Sequence, residues 1–146
     1  MRADNGTAHI VMIEDNPSDV FLIQLAMTET GVVFHATVFQ SGADALLRFC
    51  PPAGTDIEPL IPDLILLDLN TPRSDGFAVL AGIRANLCLA HVPVAIVTSS
   101  SSPLDQNRAA LLGATAYIQK PSQLNVFIDR IGNGVKKLLA GSASAT

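Results

Sequence analysis

The sequence predicts an α/β fold, an open, doubly wound, five-stranded parallel sheet with helices on both faces, in a single domain. Three observations carry this prediction. Short apolar runs alternate five times with helical patterns along 146 residues, as they do in chains of βαβ units. The strand-like runs are apolar throughout rather than alternating, which fits strands buried on both faces. Five units are too few to close a barrel of eight, and right-handed crossovers then put helices on either side of an open sheet.

The first strand reads from about His9 to Glu14 and feeds a helix opened by Asn16-Pro17-Ser18-Asp19, where Pro17 suits the first helical turn. That helix ends near Thr30-Gly31. A second strand near Val32 to Phe39 leads through Ser41, a helix cap, into a helix from Ala43 to Phe49 with Ala45, Leu46 and Phe49 on one face. The stretch from Pro51 to Pro62 holds four prolines and a glycine. It reads as an ordered or semi-ordered loop rather than a linker between domains.

The third strand spans Asp63 to Asp68, and after a loop from Leu69 to Asp75 a helix follows Gly76 with Leu80, Ile83 and Leu87 at helical spacing. Asp75-Gly76 itself reads as a turn and helix start. Val92 to Val97 forms the fourth strand, closed by Thr98. A polar loop, Ser99 to Pro103, precedes a short helix from Leu104 to Leu112 and a turn at Gly113. The fifth strand, Ala116 to Gln119, runs into Lys120-Pro121. The last helix is expected over about Ser122 to Leu139, with Leu124, Ile128, Ile131, Val135 and Leu138 recurring at helical spacing and Gly132 and Gly134 weakening it. Residues 1–7 then read as an extension, 8–139 as the domain and 140–146 as a flexible tail.

Composition excludes several functions. Apolar residues make up 49% of the chain at a mean hydropathy of +0.38, too many for disorder, yet no apolar run approaches the roughly 20 residues that cross a bilayer. No apolar signal region opens the chain, so a soluble cytoplasmic protein is expected. The net charge is −4 and no Lys/Arg stripe precedes Lys136-Lys137, which argues against unaided binding of nucleic acid or membrane. Cys50 and Cys88 lack metal-ligand spacing and read as free thiols. His9, His35 and His91 are scattered and are assigned no chemistry.

The chemistry lies at the strand ends. If the first and third strands are parallel neighbours, Glu14, Asp15 and Asp68 emerge at one sheet edge, where their like charges call for a cation. Thr98 and Lys120 reach the same edge. Asp68 can act as a nucleophile toward a phosphoryl group once that charge is neutralised, a task for magnesium or manganese. Asp15 and Asp68 are apt oxygen ligands, Glu14 can act through a metal-bound water, and the backbone carbonyl of Asn70 can add another ligand. Lys120 can hold one phosphoryl oxygen and Thr98 can donate to another. The Lys120-Pro121 bond, if cis, would aim the lysine inward, and Tyr117 can alternate between packed and exposed positions as Thr98 moves.

Glu14-Asp15, Asp68, Asn70-Thr71-Pro72 with Asp75-Gly76, Thr98-Ser99 and Lys120-Pro121 together resemble the signature of the receiver domain of two-component response regulators, over roughly residues 8 to 139. The resemblance implies a flavodoxin-like strand order of 2-1-3-4-5, Asp68 as phosphoacceptor, Glu14 and Asp15 as the metal-binding acid pair, Thr98 and Lys120 as the phosphoryl-sensing pair, Tyr117 as the switch aromatic and Ser99 and Pro121 in support. It further implies a sensor histidine kinase as phosphoryl donor. Ile65 to Pro72, the proline loop and His91-Val92-Pro93-Val94 resemble the stand-alone regulators paired with bacterial phytochrome kinases. Those relatives commonly dimerise through the fourth helix, fifth strand and fifth helix, so a homodimer through that face is expected. Output is expected through a downstream protein or a histidine phosphotransfer protein. Asn70, able to orient water, and Ser99, small, predict measurable spontaneous hydrolysis of the phosphoryl group.

Rival readings are weaker. A phosphohydrolase with an aspartate nucleophile needs a general acid two residues on, and Asn70 cannot serve. A nucleotide or flavin binder needs a glycine-rich cradle after the first strand, where this chain has Glu-Asp-Asn-Pro. A receiver-like interaction module that no longer accepts phosphate is opposed by the intact acid set.

Overall fold

The computed structural model describes residues 6–70 and 75–144. Five strands, β1 (Ala8–Ile13), β2 (Phe34–Phe39), β3 (Leu64–Leu67), β4 (Val94–Thr98) and β5 (Ala116–Gln119), alternate with α1 (Pro17–Glu29), α2 (Gly42–Phe49), α3 (Gly76–Ala85), α4 (Pro103–Leu111) and α5 (Leu124–Ser144). The sheet order is β2-β1-β3-β4-β5 and every neighbouring pair is parallel. The expected architecture holds.

Strand alternation sorts the core into two layers. Ile10, Met12, Leu66 and Val97 face α1 and α5, where they meet Ile23, Met27, Phe127, Ile131 and Val135. Val11, Ile13, Leu67 and Ile96 face the other side, against Ala45, Phe49, Leu80 and Ile83 of α2 and α3. Each such side chain contributes about 1.5–3 kcal/mol by leaving water, so the sheet is a rigid platform for whatever its ends carry.

Register brings those ends level. Ile13 lies opposite both Phe39 and Leu67, Leu67 opposite Ile96, and Thr98 opposite Gln119. The ladder continues one residue past the strands: Asp68 N–H donates to Ile13 O at 3.1 Å, Glu14 N–H to Phe39 O at 2.9 Å and Lys120 N–H to Thr98 O at 2.7 Å. Glu14 and Asp68 therefore leave the sheet side by side where β1 and β3 meet, the point at which strand order reverses.

Side-chain caps set where the helices begin. Asn16 Oδ1 accepts from Ser18 and Asp19 N–H at 2.9 and 3.3 Å with Pro17 in the first turn, Ser41 caps α2, and Asp75 accepts from Phe77 N–H at 3.0 Å. Such caps satisfy amides that have no partner inside the helix.

Several expected boundaries and faces are corrected. α3 ends at Ala85, where Asn86 starts a 3-10 turn over Leu87–Leu89; Leu87 is therefore 89% exposed and Leu89 is buried in its place. In α5 Ile131 and Val135 are buried and Ile128 and Leu138 pack half-buried against the same core, whereas Leu124 is exposed and Phe127 and Leu139 join the buried stripe. The helix also continues to Ser144, through residues expected to belong to a tail. The loop from Pro51 to Pro62 has no regular structure but is fastened by Leu60 N–H to Arg48 O at 3.0 Å and by the Arg48 guanidinium to Glu58 O at 3.2 Å. Cys50 and Cys88 are both exposed free thiols. Among the described residues no helix is long and apolar enough to cross a membrane.

Candidate functional site

Beyond the carboxyl ends of β1, β3 and β5 lies an open cleft of about 560 Å³ lined by Glu14, Asp15, Asn16, Asp19, Asp68, Asn70, Ser99 and Lys120 among others. Most of the expected site residues meet here. Glu14 and Asp68 are buried at 3% and 8% exposure, and Thr98 is fully enclosed behind the cleft.

Lys120 organises the acids. Its Nζ donates to Glu14 Oε1 at 2.6 Å, to Asp19 Oδ2 at 2.7 Å and to Asp68 Oδ2 at 3.1 Å, so each of its three N–H bonds has a carboxylate acceptor. The free oxygens are also held: Asn16 N–H donates to Glu14 Oε2 at 3.3 Å and Asn70 N–H to Asp68 Oδ1 at 3.0 Å. Burial drives the Glu14 carboxyl up to about 7 against the hydrogen bond and charge of Lys120, with Asp68 pushing the same way as burial. Burial disfavours the charged form of this most enclosed acid, and the neighbouring Asp68 charge adds to that effect, so Glu14 keeps its proton to a higher pH than an ordinary carboxyl. For Lys120 burial alone would lower the pKa, but hydrogen bonds to Asp19 and Glu14 and the charges of Asp68 and Glu14 raise it above the ordinary lysine value.

Among the acids of the cleft, Glu14 and Asp68 are joined by Asp19, which the sequence did not single out. Glu14, Asp19 and Asp68 offer oxygens all within 4.8 Å of one another, whereas Asp15 lines the cleft, half-buried, outside that triplet. Asp19 escaped the sequence reading because it lies on α1. Its one signal was an acid in the first turn of a helix that starts two residues after the acid pair. An all-oxygen set of this charge suits a hard divalent cation such as magnesium or manganese, with Asp15 and Asn70 at hand on the same cleft.

The Lys120–Pro121 bond is not cis, since no cis peptide occurs among the described residues; the parallel pairing of β4 with β5 aims the lysine instead. Thr71 and Pro72 lie outside the described residues. Thr98 Oγ1 accepts from Asn70 Nδ2 at 3.0 Å and from Ser100 N–H at 3.4 Å. Tyr117 stands apart from the cleft, half-buried, with its hydroxyl donating to Ser100 O at 3.0 Å. A chain of contacts thus runs from Asp68 at the end of β3 through Asn70, Thr98 and Ser100 to Tyr117. Ser100 also donates to Asp105 of α4 at 2.7 Å, which the sequence reading missed.

Comparison with known proteins agrees with this geometry. The family model of the response regulator receiver domain matches residues 10–132. Response regulator Rcp1 of Synechocystis sp. is 32% identical over 115 residues, which cover 79% of this chain and 78% of that protein. The structure of the phosphorylated cyanobacterial phytochrome response regulator RcpA superposes with a TM-score of 0.81 at 29% identity, covering 92% of this chain and 96% of that one. The Mn2+-bound form of Rcp1 superposes at 0.76 with 28% identity, covering 86% and 90%. This chain belongs to the response regulator receiver domain family, signalling proteins whose receiver domains are phosphorylated by histidine kinases.

Proposed function

We propose that Asp68 accepts a phosphoryl group from the phosphohistidine of a sensor histidine kinase and that the change is read out by protein contact. The observation that carries this reading is the buried Asp68 carboxylate at the end of β3, 3.1 Å from the Lys120 ammonium and beside Glu14 in an open cleft. In the transfer an Asp68 oxygen bonds to phosphorus as the P–N bond breaks, and the electron pair stays on the imidazole nitrogen, which takes a proton from water. Glu14, Asp15 and Asp68 with the Asn70 carbonyl would hold magnesium or manganese, and the bound ion supplies charge neutralisation for the phosphoryl oxygens. Lys120 holds one phosphoryl oxygen as a point charge. Thr98 turns its hydroxyl from Asn70 toward another, with Ser99 small enough to leave the approach open and Pro121 fixing the chain after the lysine.

A shift of Thr98 reaches Ser100, the acceptor of the Tyr117 hydroxyl, and so the α4–β5–α5 surface. That surface exposes Leu104 at 80% and Leu111 at 88% on α4 and Leu124 on α5. Apolar side chains so placed suit a homodimer or a downstream protein, including a histidine phosphotransfer protein. RcpA is a cyanobacterial phytochrome response regulator, which supports a bacterial phytochrome kinase as donor; a cytoplasmic setting belongs to the same proposal. Incubation with magnesium and a small phosphoryl donor, followed by intact mass measurement, is expected to show one added phosphoryl group that Asp68→Asn abolishes. An unmodified wild-type protein, or equal modification of the variant, would overturn the reading.

A further inference from the structure

We propose that Asp19 is a positioning residue that tethers the Lys120 ammonium and draws it off Asp68, leaving the acceptor carboxylate free to react. This inference rests on the reading of Asp68 as acceptor. Asp19 is the third residue of α1, and its backbone is pinned there by Asn16 Oδ1. Its carboxylate therefore stands at a fixed place on the cleft wall. Of the three acids on Lys120 it makes a contact of 2.7 Å, shorter than the 3.1 Å to Asp68, and its side chain is the most exposed, at 27% against 4% for Glu14 and 10% for Asp68.

These differences divide the labour. Glu14 and Asp68 would hold the metal ion in the proposed reaction, whereas Asp19, whose Oδ2 is engaged by Lys120, is not among the ligands proposed there, so its bond to Lys120 can persist while the lysine exchanges its Asp68 contact for a phosphoryl oxygen. Lysine has three N–H bonds and needs to change only one. Without the Asp19 carboxylate, the ammonium would settle on Glu14 and Asp68, and each turnover would first have to break a tighter pair on the nucleophile. Charge-assisted bonds of this kind are about twice as strong as neutral ones.

The chain contains three lysines, Lys120, Lys136 and Lys137, so the Lys120 ammonium is readily assigned in a nitrogen-15 spectrum of lysine side chains. In the unphosphorylated wild-type protein its protons should exchange slowly with water. Asp19→Asn is expected to speed that exchange about tenfold and Asp19→Glu to restore most of the protection. Exchange unchanged in Asp19→Asn would overturn the tether.

The rate at which a small phosphoryl donor modifies Asp68 supplies the second readout. Asp19→Asn should slow modification several-fold when Lys120 is present. In a Lys120→Gln background the same change should leave the rate unchanged or raise it, because only repulsion of the anionic donor is lost. Equal slowing in both backgrounds would also overturn the proposal. A wild-type protein that takes no phosphoryl group would defeat the acceptor reading and with it the claim about reaction, while the exchange measurement would still decide whether Asp19 holds Lys120.

Discussion

Lys120 Nζ lies 2.6 Å from Glu14 Oε1, the shortest of its three carboxylate contacts, yet Glu14 is the acid whose pKa rises to about 7 from an ordinary 4.5, chiefly through burial. A divalent cation needs that carboxylate ionised. Magnesium or manganese affinity is therefore expected to level off above about pH 7 and to fall toward tenfold per pH unit below it, a trend that calorimetric titration across this range would show. The metal-free protein should respond in the opposite sense. Because the folded pKa is the higher one, the native state holds more protons between about 4.5 and 7, so this contribution to stability is complete below 4.5 and is lost as pH rises through 7. Urea unfolding of wild type and Glu14→Gln in chelator would reveal it, since the variant should lack that slope.

Asn70 donates its side-chain amide to the buried Thr98 hydroxyl at 3.0 Å, so the amide expected to orient water is engaged until Thr98 moves. Spontaneous hydrolysis of the phosphorylated form should then depend on Asn70. Asn70→Ala is expected to lengthen the phosphorylated lifetime several-fold and to cost about 1 kcal/mol of stability from the lost bond. Loss of the phosphoryl mass with time would measure the first effect and urea denaturation the second. A wild-type phosphorylated form that persists for days would contradict the role given to Asn70.

Asp68 and Lys120 were legible in the sequence because each follows an apolar run, and parallel strands must deliver their ends to one edge. The position of Asp19 depends on the angle at which α1 leaves β1, which no local pattern encodes. The ends of the core stripes on α3 and α5 were missed for a similar reason, while Leu80, Ile83, Ile131 and Val135 are buried as expected. Leu87 was counted with α3, but Asn86 caps the 3-10 turn by accepting from Cys88 N–H at 2.9 Å, and that break turns Leu87 outward and Leu89 inward. In α5 the spacing of Leu124, Ile128, Ile131 and Val135 is helical, and so is that of Phe127, Ile131, Val135 and Leu139; packing against α1 and the sheet centres the second on the core and leaves Ile128 at its margin.

Arg84, read from the sequence only as part of α3, joins the amino ends of β4 and β5. Its guanidinium donates to Gly113 O at 2.8 Å, Leu89 O at 3.0 Å, Val92 O at 2.8 Å and Thr115 Oγ1 at 3.3 Å. A lysine has no planar fork to reproduce four such bonds. Arg84→Lys is expected to lower stability by about 1–2 kcal/mol and Arg84→Ala by about 2–3 kcal/mol. Both should leave phosphoryl acceptance unchanged, because this cluster lies at the sheet edge opposite Asp68. Paired urea denaturation and phosphorylation assays would separate the two effects.

Gly132 was expected only to weaken α5, but in the folded protein it lets that helix approach α1. A Cβ at position 132 would lie 2.3 Å from Thr30 Oγ1, 2.4 Å from Thr30 Cγ2 and 2.7 Å from Ala26 O. Thr30 cannot readily yield, since its hydroxyl donates to Ala26 O at 2.8 Å, and the backbone carbonyl moves only with the helix. Gly132→Ala gains about 1 kcal/mol of helix propensity but forces overpacking that typically costs about 1–3 kcal/mol or more. The second effect should win here because a backbone atom is among those struck, giving a net loss of about 1–2 kcal/mol. Gly141→Ala is the control on the same helix: nothing lies within 4 Å of its added Cβ, so propensity acts alone and stability should rise by about 0.5 kcal/mol. Urea midpoints that shift down for the first variant and up for the second would confirm that close packing, not helix propensity, places glycine at position 132. Matching upward shifts would refute it.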